Sequence, residues 1–191
     1  MISKRILSVI LIPVMTFGLY ACRATERYMR AQETAKAAEP LICHKDFGSY
    51  RLDPGWVEAG PESGDTDCYM YCKQEYRDSS ERPYYLTVRC GADDYAPDKY
   101  RQFCNDQYQT LAGRCGEDKV IYDGTFIKDD NYGTVMVDYE YFDKGVHFYQ
   151  WHVFGSLYHA VFELTVNDED LARQDDVAEA VFTTVCSLRF E

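Results

Sequence analysis

The chain contains no G-x-S-x-G nucleophile elbow, no H-E-x-x-H zinc helix and no glycine-rich phosphate loop. Those absences remove the hydrolase, metalloprotease and nucleotide-binding classes that can be read from local motifs. No pair of cysteines is spaced C-x-x-C, so a structural zinc site has no sequence support. Positive charge is scarce: 20 Lys and Arg stand against 32 Asp and Glu in 191 residues. From Leu41 onward the count is 29 acids to 14 bases, a balance of −15. A domain this negative repels phosphate backbones, which argues against nucleic acid and favours a protein partner with a basic surface. The same acids also serve simple solubility, and composition does not separate the two roles.

No apolar run is long enough for a membrane span. The longest, Ile6 to Leu19, has 14 residues and is interrupted by Ser8, Pro13, Thr16 and Gly18, whereas a spanning helix needs about 20 apolar residues. Preceded by Lys4 and Arg5, it reads as the apolar part of a secretion signal. It ends Leu19-Tyr20-Ala21-Cys22, which resembles a bacterial lipobox. Two readings stand: acylation of Cys22, anchoring the chain to a membrane, or a plain cleaved or uncleaved leader in which Cys22 is incidental. The expected organisation is a signal segment over residues 1–22, a near-neutral tether over 23–40 stopping at Pro40, and a single domain over 41–191. The location that follows is the bacterial cell envelope, on the periplasmic side, lipid-anchored or else soluble in the periplasm or secreted.

Export into an oxidising compartment makes disulfides the first reading of the eight cysteines. A hairpin centred on Ser79 puts Cys68 opposite Cys90. Cys43 before the first strand and Cys186 in the last helix are placed to staple both ends, and Cys104 and Cys115 to pair around a helix end. Connectivity stays open on sequence alone, and lipidation of Cys22 leaves an odd count.

Alternating and helical periods give the elements. Phe47–Leu52, Cys68–Tyr76 and Pro83–Cys90 read as strands, the first running into an Asp53-Pro54-Gly55-Trp56 turn. Tyr100, Phe103, Cys104, Gln107, Tyr108 and Leu111 fall at helical spacing, with Pro97 in the first turn and Gly113 at the C-cap. Strands Val120–Ile127, Thr134–Phe142, Val146–Phe154 and Leu157–Val166 follow. A helix capped by Asn167 or Asp168, with Leu171, Ala178, Val181, Phe182, Val185 and Leu188 on its apolar stripe, closes the chain.

This order resembles the Mog1/PsbP-like family, including its bacterial envelope DcrB-like branch. The resemblance runs from Phe47 to Phe190. It is carried by Tyr50-Arg51-Leu52-Asp53-Pro54-Gly55-Trp56, the glycine-punctuated meander from Gly124 to Thr165, and the Val181-Phe182 helix ending Ser187-Leu188-Arg189-Phe190. It implies an α+β fold, an antiparallel sheet flanked by helices, in proteins that bind or assemble others and share no catalytic set. No cofactor is implied.

One constellation bears weighing. A three-residue loop Asp143-Lys144-Gly145 and a two-residue turn Gly155-Ser156 would set His152 opposite His159 and Met136, with Asp138 beside them. Asp138, Glu140, Gln150, His152, His159 and Glu163 would then share a face. His152, His159 and Asp138 are candidate ligands for a divalent metal, a pH sensor or a partner contact. The alternative is an ordinary polar sheet face, because a metal site wants three or four converging ligands. Asp129, Asn131 and Glu140 sit at calcium-loop positions, but Gly133 and Thr134 occupy the places of a ligand and the invariant glycine. No catalytic residue is assigned. The functional expectation is a non-catalytic binding lipoprotein of the envelope, in one version an immunity protein against a secreted toxin. An envelope assembly or stress lipoprotein and an envelope hydrolase are the alternatives.

Overall fold

A computed structural model describes residues 41–59, 68–79, 82–93, 99–122, 127–129, 134–167 and 171–191. The signal segment, the tether and Cys22 lie outside them, as do Pro97 and the Asp168 cap. Among the described residues no helix is long and apolar enough to cross a membrane.

Among the described residues eleven strands and two α-helices follow in chain order. They are β1 (Leu41–Lys45), β2 (Gly48–Leu52), β3 (Trp56–Glu58), β4 (Cys68–Lys73), β5 (Tyr84–Ala92), α1 (Tyr100–Cys115), β6 (Val120–Tyr122), β7 (Ile127–Asp129), β8 (Thr134–Asp143), β9 (Val146–Phe154), β10 (Tyr158–Val166), α2 (Leu171–Cys186) and β11 (Arg189–Phe190). The large sheet runs β3-β4-β5-β10-β9-β8-β6, with β7 also on the outer edge of β8, and a small sheet runs β1-β2-β11. All of the pairings are antiparallel.

A helix covers each face of the large sheet. α2 and the small sheet pack on the face bearing Leu86, Val88, Trp151, Val153, Phe162 and Leu164. Here Tyr50, Leu52, Phe162 and Leu164 are fully buried, each worth about 1.5–3 kcal/mol of apolar transfer. α1 packs on the opposite face, where Tyr100 and Phe103 meet Phe154 at ring distances of 4.6 and 4.9 Å. The predicted α+β sandwich is therefore present.

Local chemistry explains several boundaries. Gly55 takes a φ of +87° in the turn before Trp56, whose N–H bonds the Asp53 carbonyl at 3.2 Å. α1 continues through Gly113 and stops at Gly116, whose φ is +100°, so the expected glycine cap lies one turn later. Asn167, just past β10, donates its N–H and its side-chain amide to the carbonyls of Pro83 and Arg82. β1 and β11 were not expected. Each is short, and β2 holds both.

Three turns depart from expectation. The β8–β9 loop is two residues, Lys144 and Gly145, with φ of 51° and 83°, the all-positive geometry favoured in tight hairpins. Asp143 therefore pairs with Val146, one residue away from the predicted register. The β9–β10 connection is longer than predicted, pairing Phe154 with His159. A two-residue slip preserves faces and a one-residue slip exchanges them. β8 is thus the strand that turns over. Likewise Cys68 pairs with Arg89 rather than Cys90.

That register corrects the cysteine reading. Cys68 and Cys90 occupy opposite faces of the sheet and cannot bridge. Cys104 and Cys115 sit on one straight helix, about 16 Å apart along its axis at 1.5 Å per residue, far beyond disulfide reach. β2 runs between β1, which carries Cys43, and the α2–β11 corner, which carries Cys186. No disulfide joins any two of the described cysteines. Of the calcium-loop positions, Asn131 and Gly133 lie outside the described residues; Asp129 pairs with Thr134 in a strand, and Glu140 bonds His147 at 3.0 Å.

Candidate functional site

The sheet face beneath α1 carries odd-numbered residues of β8 and β10 and even-numbered residues of β9. This brings Tyr139, Tyr141, Gln150, His152, His159 and Glu163 together. His152 and His159 meet as expected, with Nδ1 and Nε2 3.0 Å apart. They are not directly cross-strand: His152 pairs with Val161, and the histidines reach each other diagonally. Asp138, opposite Trp151, projects to the other face and cannot join them. Glu140 turns away with it. Among the described residues no group of three metal-binding side chains converges, so the predicted metal set His152, His159 and Asp138 does not assemble.

The cluster forms a directed hydrogen-bond chain. His152 Nε2 lies 2.8 Å from Gln150 Oε1, which also accepts from Gln107 Nε2 at 2.9 Å. Gln150 Nε2 donates to Glu163 Oε2 at 2.8 Å, and the Tyr141 hydroxyl donates to the same oxygen at 3.0 Å. These partners fix the Gln150 amide, since a flipped amide would set its oxygen against the Glu163 carboxylate. They also fix the histidines. With Nε2–H committed to Gln150, neutral His152 accepts at Nδ1, and His159 donates from Nε2. No buried side-chain N or O among the described residues is left without a partner.

Burial first, and the neighbouring His159 second, push the His152 imidazole down to about 3 from its ordinary 6.5. It is 4% exposed. The ring is boxed by aromatics: Phe103 at 4.9 Å and Tyr139 at 5.7 Å, both edge-on. Tyr141 is likewise held as a neutral phenol, raised by burial and then by the Glu163 charge. Arg114 stacks over the Tyr141 ring at 5.0 Å and bonds Asp143 at 3.2 Å.

Chemically this chain is a fastening. Gln150 interrupts it, because an amide relays no proton between the histidines and Glu163. Gln107 and Arg114, seven residues apart on α1, tie the helix to the sheet at two points. Sequence reasoning placed Gln107 on the core-facing stripe without seeing its role. A glutamine on an otherwise apolar stripe is the signal that a buried polar partner waits opposite.

A second buried cluster lies under α2. His147, 4% exposed, has Nδ1 2.6 Å from Gln174 Oε1 and Nε2 3.0 Å from Glu140 Oε1. The Tyr149 hydroxyl bonds Asp175 at 3.4 Å. Each helix is thus locked to its face by a histidine–glutamine arrangement.

No protein-family model and no curated protein matches the chain. Among solved structures it is similar to cyanobacterial PsbP (CyanoP) from Synechocystis sp. PCC 6803, with a TM-score of 0.55 at 13% identity, covering 80% of this chain and 92% of that one. A Bacteroides thetaiotaomicron protein (TM-score 0.48, 9% identity, 81% of this chain and 49% of that one) and a Pseudomonas aeruginosa protein of unknown function (0.44, 12%, 77% and 96%) are more distant. The layered sheet, its element order and the CyanoP likeness agree on one architecture: the chain has a PsbP-like fold.

Proposed function

We propose that this chain is a non-catalytic protein-binding module of the bacterial envelope, held at the membrane through Cys22 and offering an acidic surface to a basic partner. The observation that carries the reading is the balance of 29 acids to 14 bases from Leu41 onward. Such a field steers a cationic protein and speeds its association. The buried clusters support it from inside: His152, Gln150, Glu163 and Tyr141 spend their bonding capacity on each other and on α1. Two finer versions differ in genomic neighbourhood. An adjacent toxin gene favours an immunity protein, and a solitary gene favours an envelope assembly or stress lipoprotein of the DcrB-like kind.

The test is a non-reducing pull-down from envelope extract with the full chain. A stoichiometric basic protein, released by moderate salt, supports the reading. Turnover of an envelope substrate with no captured protein overturns it.

A further inference from the structure

β1 is an open edge whose free peptide groups belong to Ile42 and His44. Among the described residues the small sheet ends at β1, with β2 on one side and no strand on the other. Peptide groups alternate in direction along an antiparallel strand. Just before β2, the Phe47 carbonyl accepts from the Glu191 N–H at 3.3 Å, and on β2 the Arg51 N–H bonds the Ser187 hydroxyl oxygen at 2.7 Å. Odd-numbered residues from 47 to 51 thus turn their peptide groups toward β11 and away from β1. Ile42 and His44 stand opposite Arg51 and Ser49, so their peptide groups point out of the sheet edge. Cys43, opposite Tyr50, spends its own on β2.

The residues of β1 do not guard that edge. Edge strands are ordinarily blunted by proline, lysine or inward-pointing charge. β1 has no proline and no acid. Its one lysine is engaged elsewhere: Lys45 Nζ lies over the Tyr69 ring at 3.8 Å and pairs with Glu58 at 3.1 Å. Leu41 and Ile42 are 53% and 50% exposed, two of the four large exposed hydrophobics among the described residues. Burial alternates along the strand: Ile42 and His44 face out, while Cys43 and Lys45 face in. The half-buried Cys43 thiol bonds the Tyr71 side chain.

We infer that two copies of this chain pair β1 to β1, antiparallel, about a two-fold axis at Cys43, joining their small sheets into one. Ile42 of each copy then exchanges both backbone hydrogen bonds with His44 of the other, so the free groups of one edge meet those of the same edge. This register engages all five residues of β1; a slip of two residues either way leaves part of the strand unpaired. Leu41 comes beside Lys45 of the second copy, and no like charges stand opposite one another. The two Cys43 residues form the non-hydrogen-bonded pair at the axis, with Cα atoms about 4.5 Å apart, inside the span of a disulfide. Two domains of balance −15 repel, and an acid-free strand is where they meet at least cost. So short a pairing gives a weak, concentration-dependent dimer.

The experiment takes the full chain in mild detergent, with micelles in large excess over protein so that a shared micelle does not count as a pair. Sedimentation in reducing buffer should show a monomer–dimer equilibrium that shifts with concentration. Diamide then takes two protons and two electrons from the paired Cys43 thiols, its N=N bond becoming HN–NH as the S–S bond forms. The peptide map of the covalent dimer should contain Cys43 joined to Cys43. His44→Pro deletes an outward N–H that β2 does not use. It should weaken the dimer about tenfold or more, one bond being lost in each copy, and leave the urea midpoint unchanged. Ile42→Pro repeats the test at the other bond. A monomer at every concentration, with no Cys43 link, overturns the inference. A dimer that persists in both proline variants, or that links through other cysteines and not Cys43, overturns the β1 edge. A chain monomeric by itself, whose Ile42 and His44 amides exchange slowly only after envelope extract is added, assigns the edge to another protein and overturns the second copy.

Discussion

His152 Nδ1 lies 3.0 Å from His159 Nε2, and only one proton fits between them. Because the other His152 nitrogen donates to Gln150, the shared proton belongs to His159. A buried, neutral, single-tautomer imidazole is thus built into the seat of α1.

Substituting His152→Leu removes the acceptor for His159 and one donor to Gln150 while filling part of the space. Leaving a buried donor unmet costs about 1–3 kcal/mol, and the lost bond adds about 1. Urea unfolding should show a loss of about 2–4 kcal/mol. His159→Gln, at a half-buried site that keeps a side-chain donor, should cost about 1 kcal/mol or less.

Acid should act through the same ring. The unfolded chain takes up a proton at His152 near pH 6.5, while the folded chain resists it down to about 3. Its contribution is therefore complete above pH 6.5 and is lost as pH falls toward 3. Between pH 7 and pH 5 the unsubstituted chain should lose about 2 kcal/mol more than His152→Phe, which has no such proton to refuse. Paired urea titrations at the two pH values check this.

Gly48 stands where the C-terminus crosses β2. Its φ is +144°, and an added Cβ would meet the Arg189 carbonyl oxygen and the Phe190 Cα, both backbone. Gly48→Ala should break the β2–β11 pairing and cost about 3 kcal/mol. Faster amide exchange at residues 189 and 190 would locate the damage.

Cysteine mapping tests the register directly. Non-reducing peptide maps of the natively purified chain should contain no Cys68–Cys90 and no Cys104–Cys115 link. Burial pushes the Cys90 thiol up to about 11, so its alkylation at pH 8 should run at least tenfold slower than that of an exposed thiol with a pKa near 8.5.

The order of elements was legible because each long element follows its own period. β5, β9 and β10 alternate or run apolar, and the α1 stripe of Tyr100, Phe103 and Leu111 recurs at helical spacing. Faces were less legible. Gly145 announced the β8–β9 turn, but Lys144 shares the positive φ, a conformation a lysine does not advertise. Reading the loop one residue too long turned β8 over. Asp138 and Glu140 were thereby drawn toward His152, and Tyr139 and Tyr141 away from it. β11 has only two residues, and β1, as long as β2, shows no apolar alternation in Leu-Ile-Cys-His-Lys; both are held by pairing with β2. Gln107 was visible on its helix, but its partner Gln150 depends on tertiary contact that no local pattern encodes.

The account stands most directly on His152 being closed under α1 as structure, not open as a titrating site. Nitrogen-15 imidazole shifts of His152, followed from pH 7.5 to pH 5, measure it. The expected spectrum is a neutral ring protonated at Nε2 with no titration across the range. A His152 titration midpoint near 6.5, or a proton residing on Nδ1, would contradict the account.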